Sequence, residues 1–136
     1  MTIDGGCLCG KVRYRVTGPL IAADNCHCSM CRRQHGAAYA SYADFKLGSL
    51  LWLSGEQLLK TYESASGAGW CFCRECGSTL AGTDAGVVSS IALGSVDGDP
   101  GIKPASHIFV ANKAPWHDIT DTLPQFESRD SSSERS

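Results

Sequence analysis

Trp70-Cys71-Phe72-Cys73-Arg74-Glu75-Cys76-Gly77 is the stretch on which the fold turns. In an extended strand, residues two apart face the same way, so the C-x-C of Cys71 and Cys73 presents two sulfurs side by side. The C-x-x-C of Cys73 and Cys76 does the same around a tight bend, and Gly77 permits the left-handed backbone such a knuckle needs. Working outward, two more groups appear. Cys7-Leu8-Cys9 is a C-x-C, and Cys26-His27-Cys28-Ser29-Met30-Cys31 is a second C-x-C-x-x-C. Four thiolates close a tetrahedral zinc site when one pair from each of two segments meets. A C-x-C and a C-x-x-C far apart in sequence do this while tying the start of the chain to its middle. Four cysteines also serve an iron–sulfur cluster. Free buried thiols are the plainer alternative, since Cys packs as a small hydrophobe, but clustering in three motifs argues against it. No βαβ pattern surrounds either C-x-x-C, so a thioredoxin-like redox role is not indicated.

The central group differs from the other two. Cys26, Cys28 and Cys31 place three thiolates within six residues, enough to converge on one ion. If no fourth protein ligand arrives, the site keeps an open position, the mark of catalytic zinc. Cys71 decides the matter: if it reaches the ion the site is closed and structural. Three thiolates overcompensate a dication, making it a weak activator of water. Such an ion is better suited to a soft fourth ligand, an incoming thiol, whose pKa it lowers. Arg32 and Arg33, directly after Cys31, are placed to offset the excess negative charge.

The rest of the chain reads as a single mainly β domain with several short antiparallel strands and little helix. Its 136 residues suit one core, and the 15 glycines suit a turn-rich β protein. Lys11 to Val16 alternates, with Val12, Tyr14 and Val16 on one face and charged residues on the other. Further strands are expected from Ala37 to Tyr42, Ser49 to Leu53, Leu58 to Tyr62, Val87 to Leu93 (buried) and His107 to Val110. Ser66 to Gly69 reads as a loop. One helical turn is expected near Cys31 to His35 and another after Pro115. Residues 1–126 form the domain, and 127–136, polar and Ser-rich, are expected to be a disordered tail. Lys+Arg 12 against Asp+Glu 14 lacks the basic surplus of a nucleic-acid binder. No apolar run approaches membrane-spanning length and no secretory signal is visible, so no membrane partner and a cytoplasmic location are expected.

These motifs together resemble the glutathione-dependent formaldehyde-activating enzyme family, which includes centromere protein V. The matching pieces are Gly6-Cys7-Leu8-Cys9-Gly10-Lys11-Val12-Arg13-Tyr14, then Cys26 to Arg33 with Gly36, then Phe72-Cys73-Arg74-Glu75-Cys76-Gly77-Ser78. Gly94-Ser95-Val96-Asp97, His107-Ile108-Phe109-Val110 and Ala114-Pro115-Trp116 follow in order. The resemblance implies a zinc-stapled domain of the β-tent type. It implies that Cys7, Cys9, Cys73 and Cys76 hold a structural zinc and that Cys26, Cys28 and Cys31 hold a catalytic one. The implied activity joins glutathione to formaldehyde, giving S-hydroxymethylglutathione, and is classed in reverse as a carbon–sulfur lyase. One departure is Cys71, which stands where the family more usually has a basic residue before Phe-Cys.

Two functional readings follow. The first is a zinc enzyme with catalytic Cys26, Cys28 and Cys31, using a small thiol such as glutathione as carrier for a small aldehyde. Arg32 and Arg33 would anchor a thiol carboxylate, since Arg pairs bidentately with carboxylates. Its second zinc, held by three ligands, is the one expected to be lost on isolation. The alternative is a non-catalytic module with two structural metals. His27 is expected to face away from the neighbouring thiolates, and His107 to be a satisfied strand histidine. Trp52, Trp70, Trp116 and the tyrosines are expected in the core.

Overall fold

The alternation at the start of the chain builds the first sheet. Val12, Tyr14 and Val16 are fully buried, while Arg13 and Arg15 turn outward to ion pairs with Asp97 and Asp4. In the computed structural model, which describes residues 1–129, β1 (Thr2–Gly6), β2 (Arg13–Thr17) and β5 (Leu50–Ser54) form a three-stranded antiparallel sheet in the order β1-β2-β5. Tyr14 pins this sheet to the rest of the molecule. Its hydroxyl lies 2.7 Å from Ser95 Oγ, and its ring meets Trp52 edge-on at 6.0 Å.

The second sheet has seven strands, in the order β10-β3-β4-β9-β8-β7-β6. They are β3 (Ala22–Cys26), β4 (Ala40–Asp44), β6 (Leu59–Glu63), β7 (Ala68–Cys73), β8 (Thr79–Asp84), β9 (Val87–Ala92) and β10 (His107–Ile108). All neighbours are antiparallel except β10, which runs parallel to β3. One helix, α1 (Ser29–His35), follows β3. The protein is thus mainly β, as expected.

Because successive side chains alternate, this sheet has two working faces. One carries Ala23, Ala43, Leu80 and Ile91 into a core shared with Val12, Tyr14 and Val16 of the first sheet. The other carries Cys26, Ala40, Trp70 and Ile108 into a second, smaller cluster with Cys31. The two faces separate the two kinds of cysteine group.

Several expectations are corrected. β1, β3 and β8 are strands that the sequence reading passed over. β3 contains Asp24 and Asn25, and β8 contains Gly82, all weak β-formers held by neighbours on both sides. The loop expected to run to Gly69 gives way to β7 at Ala68. The strand at Val87 is buried only at Ile91 and Ala92, for Val87 is 53% exposed at a hairpin tip. Among the described residues no helix follows Pro115. A 3-10 turn at Val110–Asn112 precedes it, and Trp116 is 70% exposed rather than in the core. Tyr62 is also exposed, being on β6 at the sheet edge. The backbone remains paired as far as Ser128, whose carbonyl accepts from Phe109 N–H. The rest of the expected tail, residues 130–136, lies outside the described residues.

Candidate metal centres

The first centre stands where the two sheets meet. Cys7 follows β1 and Cys9 lies in the turn before β2, while Cys73 ends β7 and Cys76 lies in the turn before β8. Their four sulfurs all lie within 4.8 Å of one another. Gly10 and Gly77, at φ +79° and +80°, close the two knuckles in the left-handed backbone that glycine adopts without penalty. Val12 N–H donates to Cys7 Sγ at 3.3 Å. Ser78 Oγ accepts from Leu8 N–H at 2.8 Å and sits 3.3 Å from Cys76 Sγ, so one hydroxyl clasps both arms. It also leads the groups holding the Cys76 thiol down to about 5. Cys9 is pushed up to about 11, the Lys11 N–H being outweighed by burial and the neighbouring sulfurs.

This geometry fits a tetrahedral metal. Zinc–sulfur bonds of about 2.3 Å give a sulfur–sulfur edge of about 3.8 Å. Cys7 and Cys9 are 3.5 Å apart, and Cys9 and Cys73 are 3.9 Å apart. A disulfide needs about 2 Å, and all eight cysteines are free.

The second centre is built locally. Cys26 ends β3, Cys28 caps α1 by accepting Cys31 N–H at 3.3 Å, and Cys31 lies in the first helical turn. Their sulfurs also lie within 4.8 Å of one another. Hydrogen bonds from Cys26 and then Cys31 hold the Cys28 thiol down to about 2, while Cys28 pushes Cys26 up to about 12, and Cys26 and then Cys28 push Cys31 up. Three sulfurs this close resist ionising together until a cation offsets their charge.

Cys71 joins neither group. It is buried in β7 opposite Thr61 and Ala81, and burial raises its thiol. The reason is the strand's alternation. Trp70 projects onto the Cys26 face, so the next residue projects onto the other. The three-sulfur centre thus has no fourth cysteine, and its Cys26 and Cys31 line a cleft of about 600 Å³ with Tyr42, Trp70 and Ile108.

The flanking residues sort as follows. His27 is fully buried and stands apart from the three sulfurs, as its position between two strand-facing cysteines implies. It belongs instead to a chain the sequence did not reveal. The Asp121 carboxylate can only accept, so His107 donates to it from Nε2 at 2.9 Å. The other His107 nitrogen, Nδ1, shares a hydrogen bond of 2.8 Å with His27 Nε2. Burial, and then His107, push His27 down to about 4, which keeps it neutral. His107 is thus a satisfied histidine. Asp121 carried no local signal, for nothing in the sequence between His107 and Asp121 announces their meeting. Arg32 is half-buried and donates from Nε to Asn112 O at 3.1 Å, and Arg33 is exposed on α1. Neither lines the cleft.

Fold and site together define a small β-sheet protein built around two cysteine clusters able to hold metal. The family model for glutathione-dependent formaldehyde-activating enzyme matches residues 2–112, and the chain belongs to that family. A crystal structure of a Rhodobacter sphaeroides protein from a structural-genomics programme is similar, with a TM-score of 0.55 and 26% identity. That likeness covers 71% of this chain and 89% of the other. No curated protein matches. No described helix is long and apolar enough to cross a membrane.

Proposed function

We propose that the chain is a zinc-dependent enzyme of the carbon–sulfur lyase type, joining glutathione or a similar small thiol to formaldehyde or another small aldehyde. The carrying observation is the convergence of the Cys26, Cys28 and Cys31 sulfurs beside a cleft that Cys26 and Cys31 line, with Cys71 turned to the opposite face. Cys7, Cys9, Cys73 and Cys76 would hold a structural zinc, and Cys26, Cys28 and Cys31 a second with one position open. A zinc held by three thiolates supplies a soft site at which an incoming thiol gives up its proton near neutral pH. The chain's own part is positional. The Cys31 N–H holds the Cys28 sulfur, and the step from β3 into α1 keeps the three sulfurs together with Cys26 and Cys31 at the cleft. Arg33, and the guanidinium nitrogens of Arg32 left free by Asn112, are assigned to the thiol's carboxylates. In the reaction a sulfur–carbon bond forms, the carbonyl π bond breaks, and the thiol's proton ends on the new hydroxyl. Holding thiol and aldehyde in one cleft supplies the acceleration.

The test is exchange of glutathione with formaldehyde at equilibrium, followed by NMR over the uncatalysed background. The wild type should exceed Cys28→Ser at least tenfold. Equal rates in both, with no glutathione binding by calorimetry, would leave a non-catalytic metal-binding module.

A further inference from the structure

The cleft is far larger than formaldehyde requires. From Cys26 at one end, β3 runs back four residues to Ala22, a span of about 13 Å at the usual strand rise. The cleft follows that span, for Ile21 and Phe45 line it as well as Cys26 and Cys31. Its volume of about 600 Å³ falls in the range of sites for drug-sized ligands. An aldehyde of two heavy atoms touches only the cysteine end.

Most of the cleft wall is apolar. Trp70 and Ile108, both nearly buried, flank the sulfurs. At the far end Ile21 and Leu47, from two loops, and Val87, at the start of β9, converge on the same mouth, exposed at 64%, 63% and 53%. Between the two ends the floor is flattened at Gly82, which pairs with Trp70 on one side and Ser90 on the other. A Cβ there would stand 2.6 Å from Ser90 Oγ and 3.5 Å from the Tyr42 ring, filling the floor. Asp24, Asp44, Asp84 and Arg129 are the charged residues among the described lining, and Asp24 and Asp44 have partners of their own. A mostly apolar wall does not offset a carboxylate's lost hydration. Arg32 and Arg33 stand elsewhere, on α1, so a thiol bearing carboxylates is drawn to the helix side of the cysteines.

We infer that the cleft seats the side chain of an aldehyde larger than formaldehyde, one with an apolar aliphatic or aryl body and no anionic group. This rests on the enzyme reading above and deepens it. The carbonyl carbon lies at the cysteine end, and the apolar body runs past Trp70 and Gly82 toward Leu47 and Val87. The bond changes are those of the parent reaction: sulfur–carbon formation, and transfer of the thiol proton to the carbonyl oxygen.

The experiment compares phenylacetaldehyde, formaldehyde and glyoxylate with glutathione, using NMR exchange rates of the full zinc-loaded chain over background. Phenylacetaldehyde should have the highest kcat/KM and glyoxylate the lowest. Gly82→Ala should lower the phenylacetaldehyde-to-formaldehyde ratio by roughly tenfold, the scale of hydrophobic-pocket discrimination. Leu47→Ser, on an exposed loop and harmless to folding, should lower the same ratio about threefold, less than the full pocket scale. Acceleration of formaldehyde alone, glyoxylate equal to phenylacetaldehyde, or ratios unmoved in both variants would overturn the inference and leave the enzyme reading standing. Acceleration of no aldehyde would overturn both. A gain for benzyl mercaptan with formaldehyde, without one for phenylacetaldehyde with glutathione, would assign the cleft to the thiol and overturn the assignment to the aldehyde.

Discussion

The two cysteine clusters use the same ligand chemistry in opposite ways. Cys7 and Cys9 meet Cys73 and Cys76 across 64 residues or more of chain, at the seam between the two sheets. Cys26, Cys28 and Cys31 come from one strand end and the first turn of one helix, on the far face of the larger sheet. Closing a long loop is where a metal clip constrains the unfolded chain most. A cluster made within six residues closes almost nothing. The difference teaches that the first cluster is suited to stapling the fold, and that the second can be spent on chemistry at its cleft.

The largest expected effect breaks the staple. Cys76→Ser should abolish the folded state or lower its Tm by tens of degrees. Structural zinc contributes on the order of 10–16 kcal/mol in zinc-finger peptides, against roughly 5–15 kcal/mol for a whole domain. Near-UV circular dichroism and zinc content per chain give the answer. Unchanged melting with full zinc would show that the seam holds without metal.

A middle-sized effect asks what supports the second region, if metal does not. His107→Ala removes the link between His27 and Asp121, leaving the buried His27 Nε2 without its hydrogen-bond partner and opening a cavity. The expected cost is about 2–4 kcal/mol in chemical denaturation. A loss below about 0.5 kcal/mol would mean that the chain of polar groups behind Cys26 and Cys28 is incidental.

The smallest effect on stability is expected from Cys28→Ser. Serine is itself a preferred helix cap, so the bond from Cys31 N–H is retained and the fold should change by about 1 kcal/mol or less. In zinc-reconstituted protein the content should fall from two to one per chain. If instead this variant melts like Cys76→Ser, the distinction between a stapling and a working cluster fails.

Where the sequence was legible, the reason is short range. The alternation at Val12, Tyr14 and Val16 gave a strand and its buried face, and the knuckle glycines gave their backbone. The helix near Cys31 to His35 was legible from its neighbourhood, and α1 spans Ser29–His35. Where it was illegible, pairing partners decided. β3 and β8 are poor strand formers by composition, held because each is hydrogen-bonded on both sides. Trp116 looked like core because of its type, yet it lies on an exposed turn after Pro115.

By itself, the sequence determined that this is a mainly β chain whose cysteines are arranged in pairs and triplets with metal-ligand spacing, because those spacings act through local backbone geometry. It also carried the family membership, whose motifs are local as well. Only the tertiary structure decided which pairs meet, and that Cys71 joins neither group, because that depends on which face of a seven-stranded sheet each residue occupies. The cleft, its apolar mouth and its carboxylates belong to the same class of fact. They are assembled from strands and loops as far apart as Ile21 and Ile108, and no stretch of sequence contains them.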